Sequence, residues 1–348
     1  MFNGGIETVS IFEKNGDILS IFKPTRDTLG SHYSKSIIPL NLFNRKNRRI
    51  SYALLEIIVE SRGMPLEWKL KLDNINITRQ FKPTYAISLE GENKNIYKFV
   101  YDVTSVLNSS DILSKEWINL LVKYEGGDSF TVRAILLDAV YEDADAQTIY
   151  EHGTGLTLIE SGKTYRYPVR TQSNTHLTTR IITYTTRKVN MELRAGSCKT
   201  NIYTHPDNFD EYLVLSDTKP EYIEIVNLSD PSKGNSILIS SITVYGNNVK
   251  QPLLEVCGVD YSKGSNSFKL SLDICNKGEV NPDKLIVSLL RKGNLITTIQ
   301  DSELILPPGQ STRKQIELPL KEIDELQVRL IWFKLTKRWF KDEIIKLT

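Results

Sequence analysis

Apolar and polar residues alternate with a period of two along much of this chain. They do so in short runs rich in Ile, Val, Tyr and Thr, broken by Gly, Asn, Asp and Pro. Residues 68–73 put Trp68, Leu70 and Leu72 on one phase and Lys69, Lys71 and Asp73 on the other. A pleated strand with one wet face gives that pattern, because successive side chains point to opposite sides. Residues 52–60 keep one apolar phase and mix the other, and residues 179–185 read as strand from β-branched content. Helical periodicity is scarce: residues 110–121 have room for a turn or two, and residues 320–326 for another. Neither recurs between strands as a crossover helix would, which argues against a parallel α/β sheet. The pattern predicts an all-β chain of tandem antiparallel β-sandwiches.

Two breaks divide the 348 residues. Residues 142–146 are acidic and small, directly after an apolar strand, and residues 246–252 form a turn-rich connection that ends in Pro252. The expected domains are therefore 1–145, 146–249 and 250–348, each within the usual size range.

Residues 97–142 are the most informative stretch. A turn at 101–104 leads into a short apolar run and a polar loop, and two alternating strands follow, split by Gly126, Gly127 and Asp128. That order of elements resembles the end of the jelly-roll, galactose-binding-like domains appended to many glycosidases and archaeal surface proteins, over residues 45–145. Residues 150–248 share the likeness through their closing strand, residues 241–245, Ser-Ile-Thr-Val-Tyr. The last hundred residues differ. A period-two run ends in Asn276-Lys277-Gly278, a hairpin turn spans 291–294, and Leu306-Pro307-Pro308-Gly309 precedes another strand. This succession resembles the seven-stranded immunoglobulin-like domains of the cell-adhesion-related (CARDB) type. The resemblances imply two jelly-roll-like sandwiches and one immunoglobulin-like sandwich. They imply a binding or assembly role, with no catalytic apparatus.

Composition leaves that reading in place. With 44 basic and 42 acidic residues the formal charge is +2, and the densest basic run, residues 45–49, is short, so no nucleic-acid partner is expected. No run of about 18 apolar residues exists, so no membrane insertion is expected. Glu7, Glu13 and Asp17 interrupt what a signal peptide would keep apolar, which points to the cytoplasm, with the cell surface or a virion as the alternative. Asn76, Asn108 and Asn227 begin Asn-x-Ser/Thr triplets, which accept glycans on exported proteins. The Lys-, Ile- and Tyr-rich composition, with few Met and Cys, is compatible with a thermophilic archaeal source.

Candidate chemistry is sparse. The four histidines, His32, His152, His176 and His205, are scattered, and there is no Gly-x-Ser-x-Gly or phosphate-binding loop. No cofactor is expected beyond a structural calcium ion. Glu142, Asp143 and Asp145 offer hard oxygen donors for it on one loop, and Asp207, Asp210 and Glu211 form a second acidic cluster. Cys257 and Cys275 fall on strands expected to be neighbours and either close a cross-strand disulfide or stay as two thiols. Aromatic rings stack on the apolar faces of sugars. Tyr33, Trp68, Tyr85 and Trp117 supply them in the first segment, and Tyr165, Tyr167, Tyr184 and Tyr203 in the second. Tyr165 and Tyr167 flank Arg166 on one phase, as an exposed stripe would, and are the candidate ligand-binding residues with Trp68. Trp117 is expected to start a strand and anchor the core, and Trp332 and Phe340 to fill the last core layer of a terminal hairpin. The functional expectation is a non-catalytic adaptor that engages a protein partner through sheet edges and loops, with oligomerisation open. A carbohydrate-binding surface protein is the alternative, and a small glycoside hydrolase the third reading.

Overall fold

The computed structural model describes residues 5–43, 45–64, 66–78, 82–89, 94–172, 176–263, 267–318 and 325–347. It is all-β, with antiparallel pairings in six sheets among the described residues. The chain groups into two compact units, residues 1–42 with 47–248 and residues 43–46 with 249–348.

The first unit holds four sheets. In the first sheet the order is β2 (Asp17–Leu29), β10 (Phe130–Tyr141), β4 (Ile50–Ser61), β8 (Lys94–Asp102), β7 (Tyr85–Leu89). The second runs β3 (Lys35–Asn41), β9 (Trp117–Gly127), β5 (Leu66–Leu72), β6 (Ile75–Asn76). These two close the first sandwich, where Trp68 lies 4.6 Å from Phe99 and 5.6 Å from Phe130, centroid to centroid. Two short helices, α1 (Thr104–Leu107) and α2 (Ser110–Leu113), fill the link from β8 to β9; α2 is the turn expected within residues 110–121, whereas α1 precedes that segment and residues 117–121 belong to β9. The expected turn at 320–326 lies mostly outside the described residues, and Glu325 already begins a strand.

The third sheet runs β1 (Glu7–Asn15), β11 (Ala146–Ile159), β18 (Ile237–Val249), β13 (Leu177–Thr185), β16 (Asn208–Ser216). The fourth runs β12 (Thr164–Pro168), β17 (Tyr222–Asn227), β14 (Asn190–Ala195), β15 (Cys198–Tyr203). They share a core that includes Ile181, Leu193, Ile225 and Ile242. The third sheet also packs its other face on the first sheet: Ile58, Ile96 and Leu136 meet Leu156, Ile182 and Tyr184. Phe12, Tyr52 and Tyr150 cluster with ring centroids 5.0–5.4 Å apart, Phe12 stacked on Tyr150 and edge-on to Tyr52. The unit is therefore four layers deep. Both faces of β4 are covered, which explains why its second phase is mixed rather than wet.

The second unit packs β19 (Leu254–Lys263), β20 (Phe268–Asn276) and β23 (Ser311–Leu318) against a second sheet. That sheet runs β22 (Asn294–Asp301), β21 (Lys284–Arg291), β24 (Glu325–Lys334), β25 (Lys337–Lys346). Leu270, Leu272, Leu289, Val328 and Trp332 are among its core residues. Its two turn motifs are tied together by buried Asn276, whose Nδ2 donates to the carbonyls of Val280 and Leu306, both at 2.8 Å. Asn276 Oδ1 accepts from the Gly278 amide at 2.9 Å. Position 278 has to be glycine because a Cβ there would lie 2.3 Å from the Leu253 nitrogen. No helix among the described residues is long and apolar enough to cross a membrane.

Several expected placements are corrected by strand phase. Trp117 does open β9, but Ile118, Leu120 and Val122 point inward, so Trp117 points outward and is 57% exposed. Phe340 is likewise on the outer phase of β25, 67% exposed, and Trp339 packs against the core instead.

Candidate functional site

The densest chemistry lies between the first and third sheets, where strands expected to be wet meet face to face. Glu56 on β4, Lys98 on β8 and Asp138 on β10 face His152 and Thr154 on β11, Arg180 on β13, and Ser240, Ser241 and Thr243 on β18. All are buried. Glu56 Oε2 takes the Lys98 ammonium at 3.0 Å and the Ser241 hydroxyl at 2.7 Å. Glu56 Oε1 takes His152 Nε2 at 3.0 Å and the Thr154 hydroxyl. Four donors thus converge on a carboxylate with about four lone-pair sites. Lys98 spends its remaining protons on the Ser240 carbonyl at 2.7 Å and the Ser241 hydroxyl at 2.8 Å.

Beside it, Arg180 grips Asp138 at 2.7 and 2.6 Å, and the Tyr150 hydroxyl donates to the same carboxylate at 2.8 Å. Thr243 links the halves: its hydroxyl accepts from Arg180 at 3.1 Å and reaches His152 Nδ1 at 2.9 Å. The two His152 contacts are compatible with Thr243 donating to Nδ1 and Nε2 donating to Glu56, while Arg180 Nε and Nη1 have no hydrogen-bond partner among the described residues. Burial alone would push the Glu56 carboxyl up, but Lys98, His152 and Thr154 outweigh it and hold it well below the usual carboxylate range. The same burial pulls Lys98 down, and Glu56 restores only part of the loss. The fold therefore stabilises the carboxylate and strains the ammonium. This constellation has the residue types of a catalytic site, yet no exposed face; its chemistry is that of an interlayer lock.

The predicted ligand residues are distributed differently. Tyr165 and Tyr167 do share a phase of β12, but that phase faces Ile223 and Ile225 of β17 and the sandwich interior. Tyr167 is 1% exposed, its hydroxyl bonded to Thr8 at 2.9 Å and Glu151 at 3.0 Å, and Trp68 is 2% exposed. Tyr167 and Trp68 therefore offer no ring face to a ligand, and Tyr165 is half-buried, packed against the core with its hydroxyl accepting from the Ile6 amide at 3.2 Å. In each of the two acidic clusters one aspartate has protein partners. Asp143 accepts from Arg48 at 2.8 Å and from the Asp145 amide at 2.8 Å. Asp207 pairs with Arg133 at 2.9 Å and accepts from the Tyr184 hydroxyl at 3.0 Å. Among the described residues no group of three His, Cys, Asp or Glu side chains, Glu142 included, is arranged to hold a metal ion. Cys257 and Cys275 are joined in a disulfide between β19 and β20, with Cα atoms 5.8 Å apart.

A surface groove lies elsewhere, at one end of the second sandwich. It holds about 310 Å³ and is lined by Lys188, Asn190, Tyr203, Leu228, Asp230 and Asn235, among others. Asn190 opens β14 and Tyr203 closes β15, and the register of the two strands sets them directly opposite. Tyr203 is 64% exposed, with the Lys188 ammonium 5.3 Å from its ring centre, and Leu228 is 43% exposed. The amide oxygens of Asn190 and Asn235 are buried and have no hydrogen-bond partner among the described residues. Buried polar atoms are rarely left so, since each orphaned group costs about 1–3 kcal/mol. Asp230 caps the neighbouring turn, accepting from the Ser232 amide at 2.9 Å.

No protein-family model matches this chain, and no curated protein matches it in sequence. Solved structures of a β-glucuronidase from Ruminococcus gnavus are similar to it. One, in complex with a C6-substituted uronic isofagomine, has 11% identity over 57% of this chain and 36% of that chain, at a TM-score of 0.22. Another, in complex with D-glucaro-d-lactam, has 11% identity over 59% and 37%, also at 0.22. This chain thus spans little more than a third of the length of that enzyme, and a likeness of this size carries no assignment of site or activity.

Tyr203 was one of the eight aromatics named as candidates for stacking on a sugar, and nothing local set it apart. Its exposure follows from its place at the end of an edge strand, opposite an asparagine whose partner loop comes from residues 228–235.

Proposed function

We propose that this protein is a non-catalytic binding module, built of jelly-roll-like sandwiches and a CARDB-like immunoglobulin domain, that holds a short glycan in the Tyr203 groove. One observation carries the reading: a groove with an exposed tyrosine and leucine is also lined by Asn190 and Asn235, whose buried amide oxygens have no hydrogen-bond partner among the described residues. A sugar ring matches that mixture, with an apolar face for Tyr203 or Leu228 and hydroxyl donors for Asn190 and Asn235. The volume stands near the lower end of small-molecule sites, which span about 300–1,000 Å³. Sealing of Glu56, His152 and Asp138 inside the interlayer lock supports a role without catalysis.

An adaptor that meets a protein partner is the second reading, favoured by the outer face of the β22-β21-β24-β25 sheet. Leu295, Phe340 and Ile344 stand 63%, 67% and 67% exposed there. A glycan array followed by calorimetric titration separates the two. The groove reading expects saturable glycan binding that weakens about tenfold or more in Tyr203→Ala, a loss near 1.4 kcal/mol, with the melting temperature unchanged. Absence of binding at millimolar glycan, or binding indifferent to Tyr203→Ala, defeats it and leaves the adaptor.

A further inference from the structure

The three Asn-x-Ser/Thr triplets are treated very differently by the fold. Asn227 is completely buried, its Nδ2 donating to the carbonyls of Ile159 at 3.1 Å and Asn235 at 2.9 Å. Asn108 ends α1 and clamps Ile50, with Nδ2 donating to the Ile50 carbonyl at 2.7 Å and Oδ1 accepting from its amide at 2.9 Å. In both, the nitrogen that would carry a sugar is committed inside the fold. Asn76 is exposed on β6, the edge strand of its sheet. Its Oδ1 accepts from the Thr78 amide at 3.2 Å, an Asx turn that fixes the side chain through its oxygen. Among the described residues its Nδ2 has no partner.

A second, separate observation bears on where such a chain would meet a glycan donor. The Cys257–Cys275 disulfide joins the edge strand β19 to β20, and Cys257 is exposed. A bond so open to thiols persists in oxidising surroundings and is lost in a glutathione-buffered cytosol.

We propose that Asn76 is an N-linked glycan acceptor, the one triplet of the three that the folded chain admits, on a protein that resides in an oxidising compartment. Asn76 Nδ2 attacks the anomeric carbon of a sugar carried on a lipid diphosphate. The C–N bond forms as the anomeric C–O bond breaks, the bonding pair leaves with the diphosphate, and Nδ2 gives one proton to the transferase. The transfer follows folding, since a glycan placed earlier on Asn108 or Asn227 would block their hydrogen bonds.

The test is peptide-resolved mass spectrometry of the full chain isolated from its native source, with free thiols alkylated before digestion. The expected result is a glycopeptide at Asn76, unmodified Asn108 and Asn227 peptides, and no alkylation of Cys257 or Cys275. Homologous expression of Asn76→Gln should remove the glycan mass completely and leave the melting temperature unchanged. A bare Asn76 in the native protein overturns the proposal, as does a glycan on Asn108 or Asn227, or alkylated Cys257 and Cys275. None of these outcomes touches the Tyr203 groove, which stands or falls on its own titration.

Discussion

Replacing Glu56 by glutamine keeps the side chain's shape and removes its charge. Lys98 would then retain its neutral acceptors on Ser240 and Ser241 but lose the counter-ion now 3.0 Å away, at a residue fully excluded from water. Breaking one side of a buried pair costs about 3–5 kcal/mol, because the remaining charge is left uncompensated. For a body of 150–250 residues each kcal/mol moves the melting temperature by roughly 2–4 °C. Glu56→Gln should therefore lower the first unit's transition by roughly 6–20 °C. Lys98→Met should do comparable damage.

The double variant is the sharper measurement. With both charges gone, the glutamine oxygen still accepts from His152 and Thr154, and its amide nitrogen faces the Ser241 hydroxyl. The pair should then lose at least 1 kcal/mol less than the sum of the single variants, well outside the ~0.5 kcal/mol scatter of independent sites. Scanning calorimetry of the full chain reads all three. A folded-state carboxyl held below its unfolded value contributes stability that is complete above the unfolded pKa, near about 4.3. That contribution fades as pH falls toward the folded value, so wild type and Glu56→Gln should converge in acid. Additive losses, or a Glu56→Gln variant within about 1 kcal/mol of wild type at neutral pH, would refute the account of the lock.

Two further outcomes concern the second unit. The Cys257→Ser, Cys275→Ser double variant frees a crosslink between residues 18 apart in sequence and should lower that unit's stability by about 3 kcal/mol, seen as a shift in its transition alone. Gly278→Ala sets a Cβ 2.3 Å from the Leu253 nitrogen and 2.4 Å from the Gln251 carbonyl oxygen, backbone atoms that cannot step aside. It should cost about 1–3 kcal/mol in chemical denaturation; an unchanged midpoint would contradict the tight crossing of the two turns.

The all-β class and most strand positions were legible because period two is a direct consequence of pleating. What period two cannot say is which material covers each face. Tyr165 and Tyr167 were correctly given one phase, yet that phase lies beside Ile223 and Ile225 of the neighbouring strand and packs into the sandwich core. Trp117 and Phe340 were assigned to cores by their size, while their neighbours Ile118 and Trp339 decide the inward phase. The interlayer lock left a faint trace: Glu56, Lys98, Asp138 and Arg180 each interrupt a strand rich in apolar residues, with two of each sign. A charge in such a place reads as a wet face until a second sheet is known to stack there. The groove left none, because Asn190, Tyr203 and Asn235 are brought together only by strand register and a loop.

That stacking also bears on why the first unit behaves as one body. Its N-terminal strand β1 pairs with β11 in the third sheet, whereas β2, one residue later, pairs with β10 in the first. The chain changes layers at Gly16, where a Cβ would lie 2.0 Å from the Tyr141 carbonyl oxygen and the φ of +148° is one that L side chains rarely adopt. It changes layers a second time between β10 and β11, and the Gly16 amide donates to the Ala146 carbonyl at 2.8 Å, joining the two crossings. Pulling the sandwiches apart would tear β1 from its sheet and expose the Glu56 and Arg180 networks together. Both penalties fall in one step, so the two sandwiches should melt in a single transition.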